Sequence, residues 1–461
     1  MSFCKHLLCA PLIIFAGCMV GPRYHIPSVN LPEKFSQQQK IATANLADWW
    51  TFFQDPYLDS LIKKAVENNY DLRLAIEKIE ETRAAFLLQN AKLYPEIDAT
   101  GTLSRSRLSK NLNESTSSPS YNQTYIQTGL DTSWEIDFWG KLTREKNAAF
   151  NIYQAQIETM RDVYVILLSD VARTYIDCRT FQKKIALIDQ QIEIDTQLLK
   201  LTGDRFDAGI ASKPPDLNAL ATLHESKNQR IILEIHFKQA VNRLALLLGQ
   251  NPEEFSLDEG KHHVPQSTKT LNPGLPSQLL QRRPDIRRAE MLLKAATESV
   301  GAAVAQYFPS FSLLGDSGLE SNKISKWLSS GSFSWSIGPS VRWPIITFGR
   351  IKFKIDETKS VERQALLSYG QSVINALGDV ENAMVAYFKG KDRVQELEEK
   401  LSAADKEHAL TKALLESGLT NKTEVLLAHK NYLTIALDVT DAQQEESLAL
   451  ITAYKALGGG W

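Results

Sequence analysis

The chain has 461 residues, 43% of them hydrophobic and 23% charged, and 52 basic residues stand against 54 acidic ones for a net charge of −2. A balance so close to neutral gives nucleic acid no electrostatic footprint, and no nucleic-acid partner is expected. The length admits large buried cores and more than one domain.

Lys5 precedes an apolar run from Leu7 to Ala16, which closes on Phe15-Ala16-Gly17-Cys18. Small residues just before a cysteine resemble a bacterial lipoprotein processing site. Leu7–Val20 contains Pro11 and Gly17 and is too short for a bilayer core, which needs about 20 apolar residues. Residues 1–17 are therefore expected to leave as a signal peptide. Cys18 is then the lipid-attachment residue, and 18–45 is an extended, lipid-anchored segment. That covalent lipid is the only attached group expected, with no cofactor and no metal. Met19, rather than an aspartate, favours the outer membrane. Cys4 and Cys9 leave with the leader, so Cys178 stands alone without a disulfide partner. It falls in a helical pattern with Ile176 and Phe181 and reads as a small packed residue. Loss of Lys5 takes the net charge to −3.

The first strand follows Pro95: in Glu96 to Ser106, Ile97, Ala99, Gly101 and Leu103 alternate with Asp98, Thr100, Thr102 and Ser104. A polar loop rich in Ser and Asn leads to a second, Gln123 to Trp134, with Ile126, Leu130 and Trp134 on one parity. Tyr94, Trp134, Phe138 and Trp139 gather at the strand ends, as in an interfacial aromatic belt or as the ordinary core aromatics of a surface sheet. From Lys141 to about Leu201 there is no proline, and Ile185, Ile188, Ile192 and Leu199 hold the spacing of a helix-helix seam. Gly209 sits where a helix end needs positive φ, and with Pro214-Pro215 it forms a turn. A helix returns from about Asp216 to Gly249. Residues 251–274 read as a linker, in which His262-His263 are two adjacent histidines without spaced companion ligands.

Everything then recurs. Gly140, Gly209, Leu248 and Gly249 reappear 209 positions later as Gly349, Gly418, Leu457 and Gly458. Asp71, Ala75, Ala91 and Pro95 reappear 214 positions later as Asp285, Ala289, Ala305 and Pro309. The chain is a tandem duplication, with copies at 46–250 and 275–461. Five residues separate their lengths between Pro95 and Gly140. The second copy has strands at Ser310 to Glu320 and Phe333 to Trp343, aromatic ends at Tyr307, Phe308, Trp343 and Phe348, a helix from about Ile351, a turn at Gly418 and a returning helix to Leu457. Each strand has about the 9–11 residues that a tilted transmembrane strand needs. Four strands cannot close a barrel, and open edges in lipid leave backbone groups unsatisfied. Two chains would supply eight strands and three would supply twelve.

Taken in order, these segments resemble the outer membrane factor lipoproteins of tripartite efflux pumps, the TolC-like and more narrowly NodT/OprM-like group. The resemblance rests on Cys18-Met19-Val20-Gly21-Pro22 with Tyr24 and Pro27; Trp49-Trp50 and Phe53 with Asp55-Pro56; Arg282-Arg283-Pro284-Asp285-Ile286 with Ala289-Glu290; Gly301 to Pro309; and Tyr454-Lys455-Ala456-Leu457-Gly458-Gly459-Gly460-Trp461. It implies a mainly α fold with a transmembrane β-barrel: a homotrimer with a 12-stranded barrel, a 12-helix periplasmic α-barrel and an equatorial belt partly from the termini and the linker. It also implies a passive exit duct for drugs, metal ions or other small solutes, working with a periplasmic adaptor and an inner-membrane efflux transporter. A lipid-anchored coiled-coil scaffold without a pore, or the outer channel of a type I secretion system, would use similar hairpins. Arg282-Arg283-Pro284-Asp285 reads as a helix start rather than a basic patch. No HExxH, phosphate-binding glycine loop or nucleophile-base set occurs, so no enzyme is expected.

In this family the gate lies at the hairpin tips. Relatives carry an acid nine positions after the second turn glycine, where this sequence has Leu427. Glu424 and Lys430 are the charged gate candidates beside it, either paired across subunits or standing as solvated surface charges.

Overall fold

The structure, a computed structural model, describes residues 19–28, 31–35, 46–107, 109, 111, 122–209, 213–258, 263–267, 271 and 276–461. Cys18, the leader and His262 lie outside the described residues. Among the described residues, twelve main elements follow in chain order: α1 (Pro56–Asn68), α2 (Tyr70–Ala91), β1 (Glu96–Arg107), β2 (Asn122–Ile136), α3 (Lys141–Asp207), α4 (Lys213–Leu247), α5 (Pro276–Arg282), α6 (Pro284–Ala305), β3 (Ser310–Ser321), β4 (Phe333–Arg342), α7 (Arg350–Glu416) and α8 (Lys422–Ala456). The duplication is visible in the bounds. α3 and α7 both have 67 residues, α4 and α8 both have 35, and all four bounds differ by the same 209-residue shift. α2 and α6 have 22 residues each, β1 and β3 have 12 each, and both pairs follow the 214-residue shift.

Two details differ from the sequence reading. α3 continues to Asp207 rather than ending near Leu201. α4 starts at Lys213, so Pro214 and Pro215 fall inside its first turn rather than in the turn before it. A first helical turn has no intrahelical acceptor for its N–H groups, so proline loses nothing there.

The chain divides into two units, the first comprising Met1–Ser28, Lys78–Gln156 and Ala289–Tyr369. Its centre is a four-stranded antiparallel sheet in the order β1-β2-β3-β4. Gly129 of β2 faces Gly318 of β3. A Cβ on Gly318 would lie 2.3 Å from the Thr128 carbonyl oxygen, so only glycine lets these strands approach. At the foot of β2, Asp137 caps α3, accepting from the Leu142 and Thr143 N–H groups at 2.9 and 2.7 Å. The segment after the proposed lipid site is seated beside it: Val20 N–H donates to the Trp139 carbonyl. The buried Arg144 guanidinium donates to the Val20 carbonyl at 3.1 Å and to Glu298 at 2.9 Å.

The second unit comprises Val29–Glu77, Ile157–Arg288 and Gly370–Trp461. Asp55 caps α1 through the Tyr57 and Leu58 N–H groups, and its other oxygen accepts from the Tyr175 hydroxyl at 2.6 Å. Trp49 is fully buried and stacks on Tyr454 at 5.5 Å. Arg283 binds both oxygens of Asp285, reaches Asp379 and donates to the Ala456 carbonyl. The Arg-Arg-Pro-Asp run is thus a helix start, with Pro284 opening α6 and Arg283 engaged in ion pairs with Asp285 and Asp379. Cys178 is fully buried, and burial pushes its thiol up to about 12, which keeps it an inert packing residue.

Candidate functional site: the sheet and the hairpin turns

Partners in an antiparallel ladder share a face, so the register sorts the sheet. One face carries Ile97, Leu103, Ile126, Leu130 and Trp134 from the first pair of strands and Phe311, Leu313, Leu319, Trp335, Ile337 and Val341 from the second. The other carries Asp98, Gln127, Asp131, Ser133, Glu135, Ser312, Asp316, Glu320, Ser336 and Ser340. An apolar face backed by a polar one is the pattern of a barrel wall between lipid and water. The aromatic residues named from sequence gather at one end of this sheet, where β1 and β3 begin and β2 and β4 end. The opposite end has its own set, Tyr125, Trp327 and Phe333, with Trp327 donating to the Thr128 hydroxyl at 3.1 Å. Alternation alone did not reveal that second set, because Trp327 lies outside the strands. No described helix is long and apolar enough to cross a membrane.

The polar face contains one row that sequence reading missed. Asp98 pairs directly with Asp131, Asp131 with Asp316, and Asp316 with Ser336, whose hydroxyl it accepts. Like charges directly opposite one another weaken a ladder. Three consecutive strands nevertheless place a carboxylate at the same level.

In the second unit, Gly209 and Gly418 have φ of 69° and 75° and stand two residues past the ends of α3 and α7. The Leu419 N–H reaches back to the Leu414 carbonyl, and Asn421 caps α8 by accepting from the Glu424 N–H at 3.1 Å. These local bonds satisfy the backbone groups that two helix ends leave open. Glu424, Leu427 and Lys430 then lie in the first turns of α8. Glu424 and Leu427 are exposed, while Leu426 is buried with Ile194 of α3 and with Leu433.

Within the chain, Lys430 pairs with Asp195. The Lys430 ammonium lies 2.5 Å from one Asp195 oxygen, and the Ser226 hydroxyl donates to the other at 2.6 Å. Three helices, α3, α4 and α8, meet at one carboxylate. Asp195 is 1% exposed and Lys430 22%. Asp195 did carry a signal: it occupies the seam position between Ile192 and Leu199, where a carboxylate must find a buried partner. Ser226 carried none.

Comparison with known proteins places this architecture. A family model described as outer membrane efflux protein matches residues 61–250 and 275–459. The chain belongs to the outer membrane efflux protein family. A cation efflux system protein of Escherichia coli, CusC, is 30% identical over 467 residues, covering all of both chains. The toluene efflux pump outer membrane protein TtgI of Pseudomonas putida is 30% identical over 470 residues, 99% of this chain and 98% of that one. Among solved structures, the outer-membrane channel OprN matches with a TM-score of 0.87 at 29% identity, covering 96% of this chain and 100% of its own. The open state of the MtrE outer membrane channel of Neisseria gonorrhoeae matches with a TM-score of 0.82 at 26% identity, covering 96% and 98%. This efflux protein is therefore an outer-membrane channel component, and the two-faced sheet is its membrane-facing part.

Proposed function

We propose that the efflux protein works as a homotrimeric, lipid-anchored exit duct for small solutes, coupled through its hairpin turns to a periplasmic adaptor and an inner-membrane transporter. The observation that carries the assembly is the open sheet. β1 and β4 each keep one unpaired edge within the chain, and lipid offers those backbone groups no partner. Three copies supply twelve strands and close the edges. The helices support the same reading, because Tyr70, Leu74, Ile231, Ile235, Leu367 and Ile374 are exposed in one chain and would be covered between copies. Cys18 is the proposed acylation site.

The duct is passive and permissive, so its cargo class follows the inner-membrane transporter. Relatives named for cations and for toluene indicate how wide that range is. Nothing in the proposed role calls for catalysis. The gate is proposed at the turns, where Lys430 ties α8 to α3 through Asp195 and where Leu427 and Glu424 are presented by the same helix. Conductance of the purified oligomer across a planar bilayer tests the duct. A trimer with discrete ion-conducting steps supports it, whereas a monomer, or an oligomer without conductance, selects the pore-less scaffold.

A further inference from the structure

Near the second hairpin turn, the His408 ring of α7 lies on the His429 ring of α8, with centroids 4.4 Å apart and planes 8° from parallel. Tyr432, one turn along α8, stands 6.2 Å from His429. The two imidazoles thus form a cross-helix contact close to the turn where the hairpin reverses. Face-on packing suits two neutral rings. Two imidazolium rings at that separation repel, and partial burial removes the water that would screen them.

We propose that His408 and His429 form a proton-sensitive clasp between α7 and α8, closed by stacking while the rings are neutral and released when acid charges the pair. The surroundings offer little to hold a charged pair in place. One turn from His429 on its own helix stand Val425, Leu426, Tyr432 and Leu433, with Tyr432 the sole titratable group among them. One turn from His408 stand Ala404, Asp405, Thr411 and Lys412, one acid and one base. Lys430 adjoins His429, but its ammonium is engaged by Asp195 of α3. Burial, then His408, holds His429 below the usual histidine range. The stacked state therefore binds fewer protons than an open one. Its stability is full above the open-state value, about 6.5, and falls as pH drops through it. Because Lys430 follows His429 directly, release of the clasp also loosens the three-helix junction.

The test uses the full-length protein in detergent. Per-residue histidine hydrogen–deuterium exchange should place the His429 midpoint below the usual histidine range. His408→Phe, which keeps a ring in the stack but cannot be charged, should raise the His429 midpoint. In planar bilayers, conductance of the parent should rise several-fold from pH 7.5 to 5.0, and the His408→Phe/His429→Phe double variant should lose that rise. A His429 midpoint that His408→Phe leaves unmoved overturns the clasp, as does an unchanged pH profile in the double variant. The conductance arm rests on the duct reading. If the parent conducts at no pH, that reading fails, and the exchange midpoints still decide the clasp.

Discussion

Lys430 and Asp195, 235 positions apart in sequence, form one ion pair with the ammonium 2.5 Å from the carboxylate. The pair joins the second half of the duplication to the first at a level close to the hairpin turns. Lys430→Met removes the cation but keeps the packing stem, which leaves a buried carboxylate with Ser226 alone. Removing one partner of a buried pair costs about 3–5 kcal/mol, so the denaturation midpoint should fall. Conductance without a partner pump should rise, because the junction restrains α8. Adding Asp195→Asn should recover part of the stability but not the closed state. Parent-like stability and conductance in Lys430→Met would remove this junction from any account of closure.

Gly318→Ala addresses the sheet. The added methyl would meet the Thr128 carbonyl at 2.3 Å and the Gly129 Cα at 2.7 Å, both backbone atoms that a rotamer change cannot move. Overpacking of this kind costs about 1–3 kcal/mol, and here it acts on the pairing of β2 with β3. Heat-resistant oligomer on gels should decline, while Gly338→Ala, where a Cβ meets nothing within 4 Å, serves as the control. Equal heat resistance of the two variants would contradict the close approach.

Asp131→Asn tests the row of carboxylates. Asp131 faces Asp98 on one side and Asp316 on the other, so neutralising it relieves two destabilising like-charge pairs. The variant should therefore melt higher than the parent. Rings of acids favour cations in a pore, so its reversal potential in a salt gradient should shift toward anions. A lower melting point with unaltered selectivity would show that the row faces elsewhere.

Asp162 gives a pH-dependent prediction. It lines a cavity of about 460 Å³ with Arg283, Asp285 and Lys455, and burial, then Asp285, raises it above the usual carboxylate range. A raised folded-state value means that the stability from its proton is present below the unfolded value, about 3.9, and is lost as pH rises through the folded one. Asp162→Asn should thus stabilise the protein at pH 7.5 and leave it unchanged below about pH 4. Thermal melts at both pH values check the sign.

Sequence by itself determined the duplication, the four strands and the paired hairpins. Those features are local or arithmetical: alternation sets a strand, a seam spacing sets a helix, and a turn glycine such as Gly418 recurs at a fixed shift from Gly209. Boundaries at Pro214 and at the end of α3 were less legible, because a first turn accepts proline and a helix end near a loop has few long-range contacts. Family membership was legible too, since it rests on the order of many weak motifs. Only the tertiary structure decided which charges meet. Lys430 could face any acid until helix packing placed Asp195, itself displaced onto an apolar seam, within reach. Asp98, Asp131 and Asp316 became one row only through ladder register, because a slip of one residue would send each to the opposite face.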